Sequence, residues 1–175
     1  MPDVTIREMN PGDYPLLEEF LYLAVYQHDA ERPIPRSVVY EPRVHIYIQD
    51  FGEHPHDHGV VAEADGKVIG AAWARVLGGD SPGYGYVDDA TPELAISLLP
   101  EYRNRGIGTR MMRDLIELFT ELGYARTSLS VDKENYAVRM YESLGFVVLA
   151  EQDEDLLMIR DLCSGPSTSA PRDQR

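Results

Sequence analysis

One stretch of the sequence combines residue types that can bind a phosphate group. Residues 94–99 have the apolar pattern of a strand, and a proline ends it before a helix that begins near Gly106. The first turn of a helix leaves backbone N–H groups unpaired and carries the positive end of the helix dipole. Gly106 and Gly108 permit close approach to the backbone, and Arg103 and Arg105 add positive charge. These features predict an anion site suited to a pyrophosphate.

Two other phosphate-binding patterns do not fit this segment. A P-loop needs a lysine after its last glycine, whereas Gly108 is followed by Thr109 and Arg110. The dinucleotide fingerprint needs three glycines at fixed offsets, and only Gly106 and Gly108 are present. A glycine-assisted turn with surface arginines would explain the segment alone, so its interpretation depends on the rest of the chain.

Three of the five histidines, His54, His56 and His58, lie together in a polar stretch. On a strand they would share one face and could bind a metal ion, but Pro55 and the flanking glycines favour a loop. Because no helical His-x-x-x-His spacing supports a site, no bound metal is expected. The chain has one cysteine, Cys163, which cannot form an internal disulfide and which nothing marks as a nucleophile.

The elements that must position these residues follow from the hydrophobic periodicity. Strands are predicted at 4–9, 60–64, 67–73, 94–99, 126–131, 146–149 and 156–159. Helices are predicted at 16–25, from Pro42, from Gly106 to Leu122, and after Asn135, which is expected to be an N-cap. Asp65-Gly66 predicts a hairpin between the second and third strands, and Trp73 is expected in the core. This order predicts an α/β fold around a mixed sheet, not a doubly wound parallel one.

Length and composition limit the classes of protein that the chain can be. It has 175 residues, of which 43% are hydrophobic and 26% charged, which predicts one globular domain. We assign that domain to residues 1–163 and expect the Ser/Pro-rich residues 164–175 to be a disordered polar tail. The sequence contains no run of eighteen apolar residues, which a membrane-spanning helix would need, and its first residues lack a signal-peptide pattern. A cytoplasmic protein without membrane partners is therefore expected.

The net charge of −14 leaves no basic surface for nucleic acid. Residues 1–100 hold six Lys/Arg against 17 Asp/Glu, a net charge of −11, whereas residues 101–175 hold ten against 13, a net charge of −3. The imbalance indicates either a solvated acidic surface or an N-terminal half that attracts a cationic ligand.

The pattern Arg103-x-x-Gly106-x-Gly108 directly after a strand resembles the acetyl-CoA signature of the GNAT family of N-acetyltransferases. A second block, from Asn135 through Tyr141 to Phe146, resembles the family's signature on its following helix. The resemblance covers residues 3–162 in the order and type of elements. It implies the GNAT fold, in which a mostly antiparallel central sheet, flanked by helices, is split between its fourth and fifth strands to hold acetyl-CoA.

The resemblance implies that acetyl-CoA is the co-substrate and that one segment binds most of it. Backbone N–H groups around Leu98 and Leu99 would face the pantetheine and the thioester, and residues 103–109 would surround the pyrophosphate. The implied cofactor-binding residues are Leu98, Leu99, Arg103, Asn104, Arg105, Gly106, Ile107, Gly108, Thr109 and Asn135.

The resemblance also implies two catalytic residues for direct attack of an amine in a ternary complex. Tyr141 matches the family tyrosine near the thioester sulfur, where a phenol can protonate the leaving thiolate. Glu93 is near the position at which some members carry a general base, with Asp88 and Asp89 as nearby competitors. From the residues alone, Tyr141 could instead be a core side chain and Glu93 an exposed one.

The expected acceptor is a primary amine, either a small molecule or a peptide, that arrives as a cation. A glycine-rich loop just before Glu93 carries Tyr84, Tyr86, Asp88 and Asp89, which suit an ammonium group. The rest of the acceptor pocket is expected from Tyr22, Tyr26 and residues 28–40.

Two other functions remain open at this point. A non-catalytic acyl-CoA sensor would need residues 103–109 but neither Tyr141 nor a base. A toxin-like enzyme that modifies tRNA would need a basic surface, which this composition lacks. The oligomeric state is also open, and a homodimer is one arrangement that the sequence allows.

Overall fold

A seven-stranded sheet runs through residues 2–162, the part of the chain that the computed structural model describes. Its strands are β1 Val4–Glu8, β2 His58–Ala64, β3 Lys67–Arg75, β4 Glu93–Leu98, β5 Arg126–Asp132, β6 Val147–Glu151 and β7 Asp155–Asp161. The order across the sheet is β1-β2-β3-β4-β5-β7-β6. Every neighbouring pair is antiparallel except β4 and β5, which are parallel. The predicted mixed, mostly antiparallel sheet is confirmed.

Helices cover both faces of this sheet. They are α1 Leu17–Ala24, α2 Pro42–His45, α3 Ile107–Glu121 and α4 Ala137–Ser143. Because successive strand residues point to opposite faces, Ala72 and Ala74 of β3 join the core beneath α3 and α4. Ala71 and Trp73 join the second core beneath α1 and α2. Trp73 is 1% exposed, in agreement with its predicted place in the core.

The sheet divides between its two parallel strands. The β4–β5 ladder contains one residue pair, Glu93 with Ser128, at the N-terminal end of β4. Beyond this pair the strands separate, and each is held by its antiparallel neighbour on the other side, β3 or β7. The gap between β4 and β5 is therefore closed at Glu93 and open toward the C-terminal ends of both strands.

The N-terminal helical region differs most from its prediction. The segment between the predicted first strand and first helix forms a 3-10 helix, Pro11–Leu16, because Asn10 and Asp13 form a capping box. The helix predicted from Pro42 has only four residues.

The last helix also begins later than predicted. It was expected directly after Asn135 and begins at Ala137, although the Asn135 side chain still accepts the Ala137 N–H at 3.0 Å.

The hairpin turn agrees with its prediction. Asp65 and Gly66 have φ values of 51° and 75°, as the two central residues of a type I′ turn require. Within the described residues, no helix is both long and apolar enough to cross a membrane. Cys163 and the predicted tail at 164–175 lie outside the described residues, so the domain boundary stays a prediction.

Candidate active site

The predicted anion-binding segment lies at the open end of the β4–β5 gap. Gly106 precedes α3 with φ 76°, a left-handed conformation that favours glycine, and Asn104 has φ 60°. The first backbone hydrogen bond of the helix is from Arg110 N–H to Gly106 at 3.2 Å. The preceding N–H groups have no partner within the helix, so they are available to an anion.

A cavity of about 950 Å³ extends from this segment along the gap. Seven of the ten predicted cofactor-binding residues line it, namely Leu98, Arg103, Asn104, Gly106, Gly108, Thr109 and Asn135. The other three point elsewhere. Arg105 stacks on the Tyr102 ring at 5.7 Å, and Ile107 is a buried core residue. The Leu99 N–H donates to the Ile69 carbonyl of β3 at 2.9 Å.

The hydrogen bond of Leu99 decides which backbone group faces the gap. Adjacent N–H groups of a strand point to opposite sides, so the N–H of Leu98 points away from β3 and toward β5. The sequence analysis expected both residues to present their N–H groups to the cofactor. In the structure only the Leu98 N–H faces the gap, because the Leu99 N–H is bonded to β3.

Gly108, in the first turn of α3, leaves a small space in the cavity wall. A Cβ atom added to Gly108 would lie 3.6 Å from Leu98 Cδ1, 3.6 Å from Met140 Sδ and 3.9 Å from Ile96 Cδ1. These are ordinary contact distances, so glycine is not required there for packing of the protein itself. Its absent side chain leaves space between β4 and α4 that a ligand can fill.

Tyr141 packs in the core and also lines the cavity, so both positions that the sequence allowed for it are occupied by the one side chain. It is 8% exposed and packs edge-to-face with Phe146 at a centroid distance of 5.9 Å. It also lines the cavity, on the α4 side of the gap. Burial raises the pKa of Tyr141 to about 12, so its hydroxyl keeps its proton across the physiological range.

Glu93 is buried, and the alternative of an exposed strand-start residue is wrong. It is 2% exposed and lines the cavity at the closed end of the gap. Its Oε1 accepts hydrogen bonds from the Tyr47 hydroxyl and from the Gly85 N–H, the latter at 2.7 Å. Gly85 in turn accepts a hydrogen bond from Ser128 of β5 at 2.6 Å. We call Tyr47, Tyr84, Gly85, Glu93 and Ser128 the Glu93 network.

One oxygen of the Glu93 carboxylate has no hydrogen-bond partner. Among the described residues, Glu93 Oε2 is the buried side-chain oxygen or nitrogen without one. A Cβ atom added to Gly83 would lie only 2.1 Å from this oxygen, so glycine is needed where the loop crosses the carboxylate. Burial raises the pKa of Glu93, and the hydrogen bonds from Tyr47 and Gly85 oppose that rise.

The acidic residues of the neighbouring loop are engaged in its own structure. Asp88 accepts hydrogen bonds from Ala90 N–H, Thr91 and Arg126, which lower its pKa to about 2. Asp89 accepts a hydrogen bond from the Tyr86 hydroxyl at 2.9 Å. Neither aspartate lines the cavity, and neither does Tyr86. A carboxylate that holds its proton so weakly is a poor base, and of Asp88, Asp89 and Glu93 only Glu93 lines the cavity.

The predicted acceptor region contributes other side chains to the cavity. Tyr22, Tyr26 and Tyr84 line it, as predicted, and so do Val38 and Val44. Arg36 stacks on Tyr22 at 4.5 Å and Arg43 on Tyr84 at 4.4 Å, so a cation of the protein already covers one face of each ring.

The charge of the cavity wall is nevertheless acidic. Its carboxylates are Glu41, Glu93, Asp132 and Asp155, against a single guanidinium, that of Arg103. Negative charge therefore surrounds most of the cavity, whereas positive charge is confined to the anion-binding segment. Asp88 and Asp89, to which the sequence assigned an ammonium site, are not among these carboxylates.

A second set of charged groups lies at the open end of the gap. His28 Nε2 is 2.8 Å from Asp132 and His28 Nδ1 is 2.9 Å from Glu134, so the loop after α1 contacts the end of β5. Both carboxylates raise the pKa of His28. We call these three residues the His28 cluster. The sequence analysis did not identify them, because the histidine is 106 positions from Glu134.

The histidines that the sequence analysis considered as metal ligands have structural contacts instead. His56 Nδ1 lies 2.6 Å from the Tyr124 hydroxyl, and His58 packs edge-to-face on Phe119.

Tyr47 lines the cavity but was not predicted from the sequence as a site residue. Its position in an apolar helical pattern indicated only core packing.

Known proteins with similar sequences and folds agree with this geometry. The family model described as "Acetyltransferase (GNAT) family" matches residues 22–146. N-alpha-acetyltransferase RimI of Mycobacterium tuberculosis is 33% identical over 92 residues, which is 53% of this chain and 53% of that enzyme, so the match spans about half the length of this relative. Thialysine N-epsilon-acetyltransferase of Sus scrofa is 28% identical over 169 residues, 87% of this chain and 89% of that enzyme.

A solved structure has the same fold. The Salmonella typhimurium protein yncA, determined with its cofactor acetyl-CoA, superposes with a TM-score of 0.64 and covers 96% of this chain and 99% of its own. The two sequences are 23% identical, so the likeness concerns the fold. The split sheet, the glycine-rich turn before α3 and the family model over most of the described residues lead to one conclusion: the chain belongs to the acetyltransferase (GNAT) family.

Proposed function

We propose that this protein is an acetyl-CoA-dependent N-acetyltransferase that acetylates a primary amine by direct attack in a ternary complex. One observation carries the proposal. A single cavity joins the anion-binding start of α3 to a buried carboxylate, Glu93, whose Oε2 has no partner. The first feature suits the pyrophosphate of CoA and the second suits an amine.

From the open end of the gap inward, the residues would contact successive parts of the cofactor. Arg103, Asn104 and the N–H groups that follow Gly106 would hold the pyrophosphate. The space beside Gly108, between β4 and α4, would hold the pantetheine, and the Leu98 N–H would donate to it or to the thioester carbonyl. Acetyl-CoA supplies a thioester carbon that the amine nitrogen attacks, so that a C–N bond forms and the C–S bond breaks.

Glu93 would remove the proton from the amine. An alkylamine has a pKa of about 10, so it arrives mostly as an unreactive ammonium ion. Oε2 of Glu93 would accept a hydrogen bond from this ion and take its first proton, which passes to solvent before attack. The neutral amine would then attack, and Glu93 would take the second proton from the nitrogen as the C–N bond forms. Burial raises the pKa of Glu93, which makes the carboxylate a stronger base than an exposed glutamate.

Tyr141 would supply the proton that the leaving sulfur needs. Its raised pKa of about 12 keeps the phenol protonated, so it can donate to the thiolate at neutral pH. Glu93 and Tyr141 line the same cavity from opposite sides of the gap, Glu93 on β4 and Tyr141 on α4. The second proton taken at Glu93 and the proton given by Tyr141 balance over a turnover, and the first proton of the ammonium ion is released to solvent.

The acceptor is proposed to be a primary amine on an apolar arm. Aromatic and aliphatic side chains line the cavity beside Glu93, namely Tyr22, Val38, Val44, Tyr47 and Tyr84. The surrounding carboxylates would attract the ammonium form from solution. The names of both curated relatives specify amine acceptors, an N-alpha amine in one and the N-epsilon amine of thialysine in the other.

An acetyl-CoA consumption screen across amine classes tests the proposal through release of free thiol. We expect turnover with at least one primary amine, and the product mass should increase by one acetyl group. Calorimetric CoA binding should be measured on the same preparation. Binding without thiol release from any amine would contradict the enzyme and favour the acyl-CoA sensor, whereas absence of binding would contradict both.

A further inference from the structure

A buried tyrosine from the segment after α2 contacts the carboxylate of Glu93. The Tyr47 hydroxyl donates a hydrogen bond to Glu93 Oε1, although the two residues are 46 positions apart in the sequence. The same hydroxyl accepts the Tyr84 N–H at 2.9 Å. A phenol has one proton to donate, and Tyr47 directs it at the carboxylate.

The tyrosine itself is held from behind by the core. Trp73 Nε1, on β3, donates to the Tyr47 carbonyl at 3.0 Å, and both residues belong to the core beneath α1 and α2. Tyr47 is 9% exposed, so it has little freedom to turn away from Glu93. The hydroxyl is thus placed by a packed ring and a fixed backbone rather than by a mobile loop.

We infer that Tyr47 is a positioning residue for Glu93: together with the Gly85 N–H it occupies Oε1 and so presents Oε2 to the acceptor amine. This inference rests on the proposed function, because it assigns a role toward the proposed base. Two donors on one oxygen restrict rotation of the carboxylate, and the other oxygen is left without a partner. A buried oxygen without a partner is costly, and an ammonium group would satisfy it.

The groups around Glu93 leave this role to Tyr47. Arg75 of β3 lies opposite Glu93 in the sheet register, but its guanidinium pairs with Asp57 at 2.9 Å and donates to the carbonyls of Ile46 and Gln49. Ser128, on the β5 side, donates to the Gly85 carbonyl rather than to the carboxylate. Tyr47 is therefore the titratable side chain that donates to Glu93.

Tyr47 acts as a donor and does not itself exchange the proton. Burial, followed by the charge of Glu93, raises the pKa of Tyr47 far above its usual range, so the phenol stays protonated. A hydrogen bond donated to a carboxylate favours its charged form and lowers its pKa. Loss of the Tyr47 hydroxyl should therefore raise the pKa of Glu93 further and leave its carboxylate free to rotate.

The test is the pH profile of Tyr47→Phe on an amine that the screen identifies. We expect the acidic limb of kcat/KM to move to higher pH by about one unit, since a charged hydrogen bond is lost. Below the limb, this shift lowers kcat/KM about tenfold, and the loss should lie in kcat rather than in the KM for acetyl-CoA. Titration of the amine itself also contributes to the acidic limb, but it contributes equally in every variant. The difference in limb position between variants therefore reports the pKa of Glu93.

Two controls separate a positioning role from a structural one. Tyr124→Phe removes a hydroxyl that bonds His56 outside the cavity, and its pH profile should match that of the wild type. Incorporation of 3-fluorotyrosine at position 47, a more acidic phenol and a stronger donor, should move the limb in the opposite direction from Tyr47→Phe. Melting temperatures verify that each variant is folded.

The outcomes distinguish this inference from the proposed function. If Glu93→Gln abolishes turnover while Tyr47→Phe and the fluorinated protein keep the wild-type profile, the positioning role is wrong and the base assignment stands. If Glu93→Gln retains turnover, the base assignment is wrong, and the inference falls with it. Opposite shifts of the limb in the two Tyr47 variants would support the inference.

Discussion

The two ends of the β4–β5 gap hold acidic groups in opposite environments. At the closed end, Glu93 is 2% exposed, and its partners in the Glu93 network are neutral hydrogen-bond donors. At the open end, the His28 cluster pairs charges directly, but the side chains of His28 and Glu134 are 46% and 73% exposed. Water and salt screen the second set, whereas the first lies in a medium of low effective dielectric constant.

This contrast indicates which carboxylates can do chemistry. An exposed ion pair contributes little to stability. A buried carboxylate with one oxygen unpaired is costly for the fold and is retained where a ligand satisfies it. The Glu93 network should therefore control turnover, and the His28 cluster should affect mainly stability and its dependence on pH.

The largest effect is expected from Glu93→Gln, which removes the base and keeps the size of the side chain. We expect kcat to fall by about 10²–10⁴, the usual contribution of general base catalysis, with CoA affinity unchanged. The measurement is steady-state kinetics with calorimetric CoA binding. Asp88→Asn and Asp89→Asn are matched controls, since neither residue lines the cavity. A larger loss from either aspartate would place the base in the loop instead.

The next effect is expected from Gly108→Val, which tests the open end of the gap for cofactor binding. The added side chain would fill the space beside Leu98 and Met140 that we assign to the pantetheine. CoA affinity should fall by roughly 10–100-fold, the order expected when a close-packed ligand contact is lost. The fold should persist, because the new Cβ makes only ordinary contacts. Thr120→Val, near the other end of α3, is the control, and unchanged affinity in folded Gly108→Val would refute the assignment.

A smaller effect is expected from Tyr141→Phe, which removes the proposed acid and keeps its ring on Phe146. Turnover should fall by about 10²-fold or less, with little change in melting temperature or CoA binding. Because burial raises the pKa of Tyr141 to about 12, wild-type activity should show no loss from its ionisation up to about pH 10. A sharp drop in melting temperature with turnover per folded molecule intact would show that Tyr141 serves only the core.

The smallest effect is expected from His28→Gln at the exposed cluster. The carboxylates of Glu134 and Asp132 raise the pKa of His28 in the folded protein. Its stabilisation is therefore fully present below the unfolded pKa of about 6.5 and is lost as the pH rises through the folded value. Melting temperatures of variant and wild type should differ below pH 6, converge by pH 9, and differ less in high salt. A difference that persists at pH 9 would contradict the ionic origin.

Local patterns predicted most of the residues that line the open end of the gap. The strand end, the glycine-rich turn and the first turn of α3 are contiguous, so the anion-binding geometry depends on residues 98–109 and their own backbone. The exceptions within that stretch come from neighbours. The Leu99 N–H donates to the Ile69 carbonyl of β3, and the Ile107 side chain faces the core, so Ile107 offers only its backbone N–H at the anion-binding turn.

The environment of the acidic residues on the acceptor side could not be predicted from the sequence, because it depends on tertiary contacts. Asp88 and Asp89 resembled an ammonium site in sequence, but Arg126, 38 positions from Asp88, engages Asp88, and Tyr86 engages Asp89. Glu93 resembled an exposed strand-start residue, but the loop at Gly83 and Gly85 covers it. Burial and pairing by distant segments change both the pKa of a carboxylate and its access to ligand, and neither can be read from its local sequence.

The sequence by itself determined the order of the elements, the mixed sheet, the hairpin turn and the helix start that suits a phosphate. Those features arise from periodicity and backbone preferences within short windows, so they need no knowledge of distant residues. Only the tertiary structure decided that Tyr47 contacts Glu93, that Oε2 is left unpaired, and that His28 joins Asp132. These contacts link segments 46 to 104 positions apart, and they form only where packing of the sheet and its helices brings those segments together.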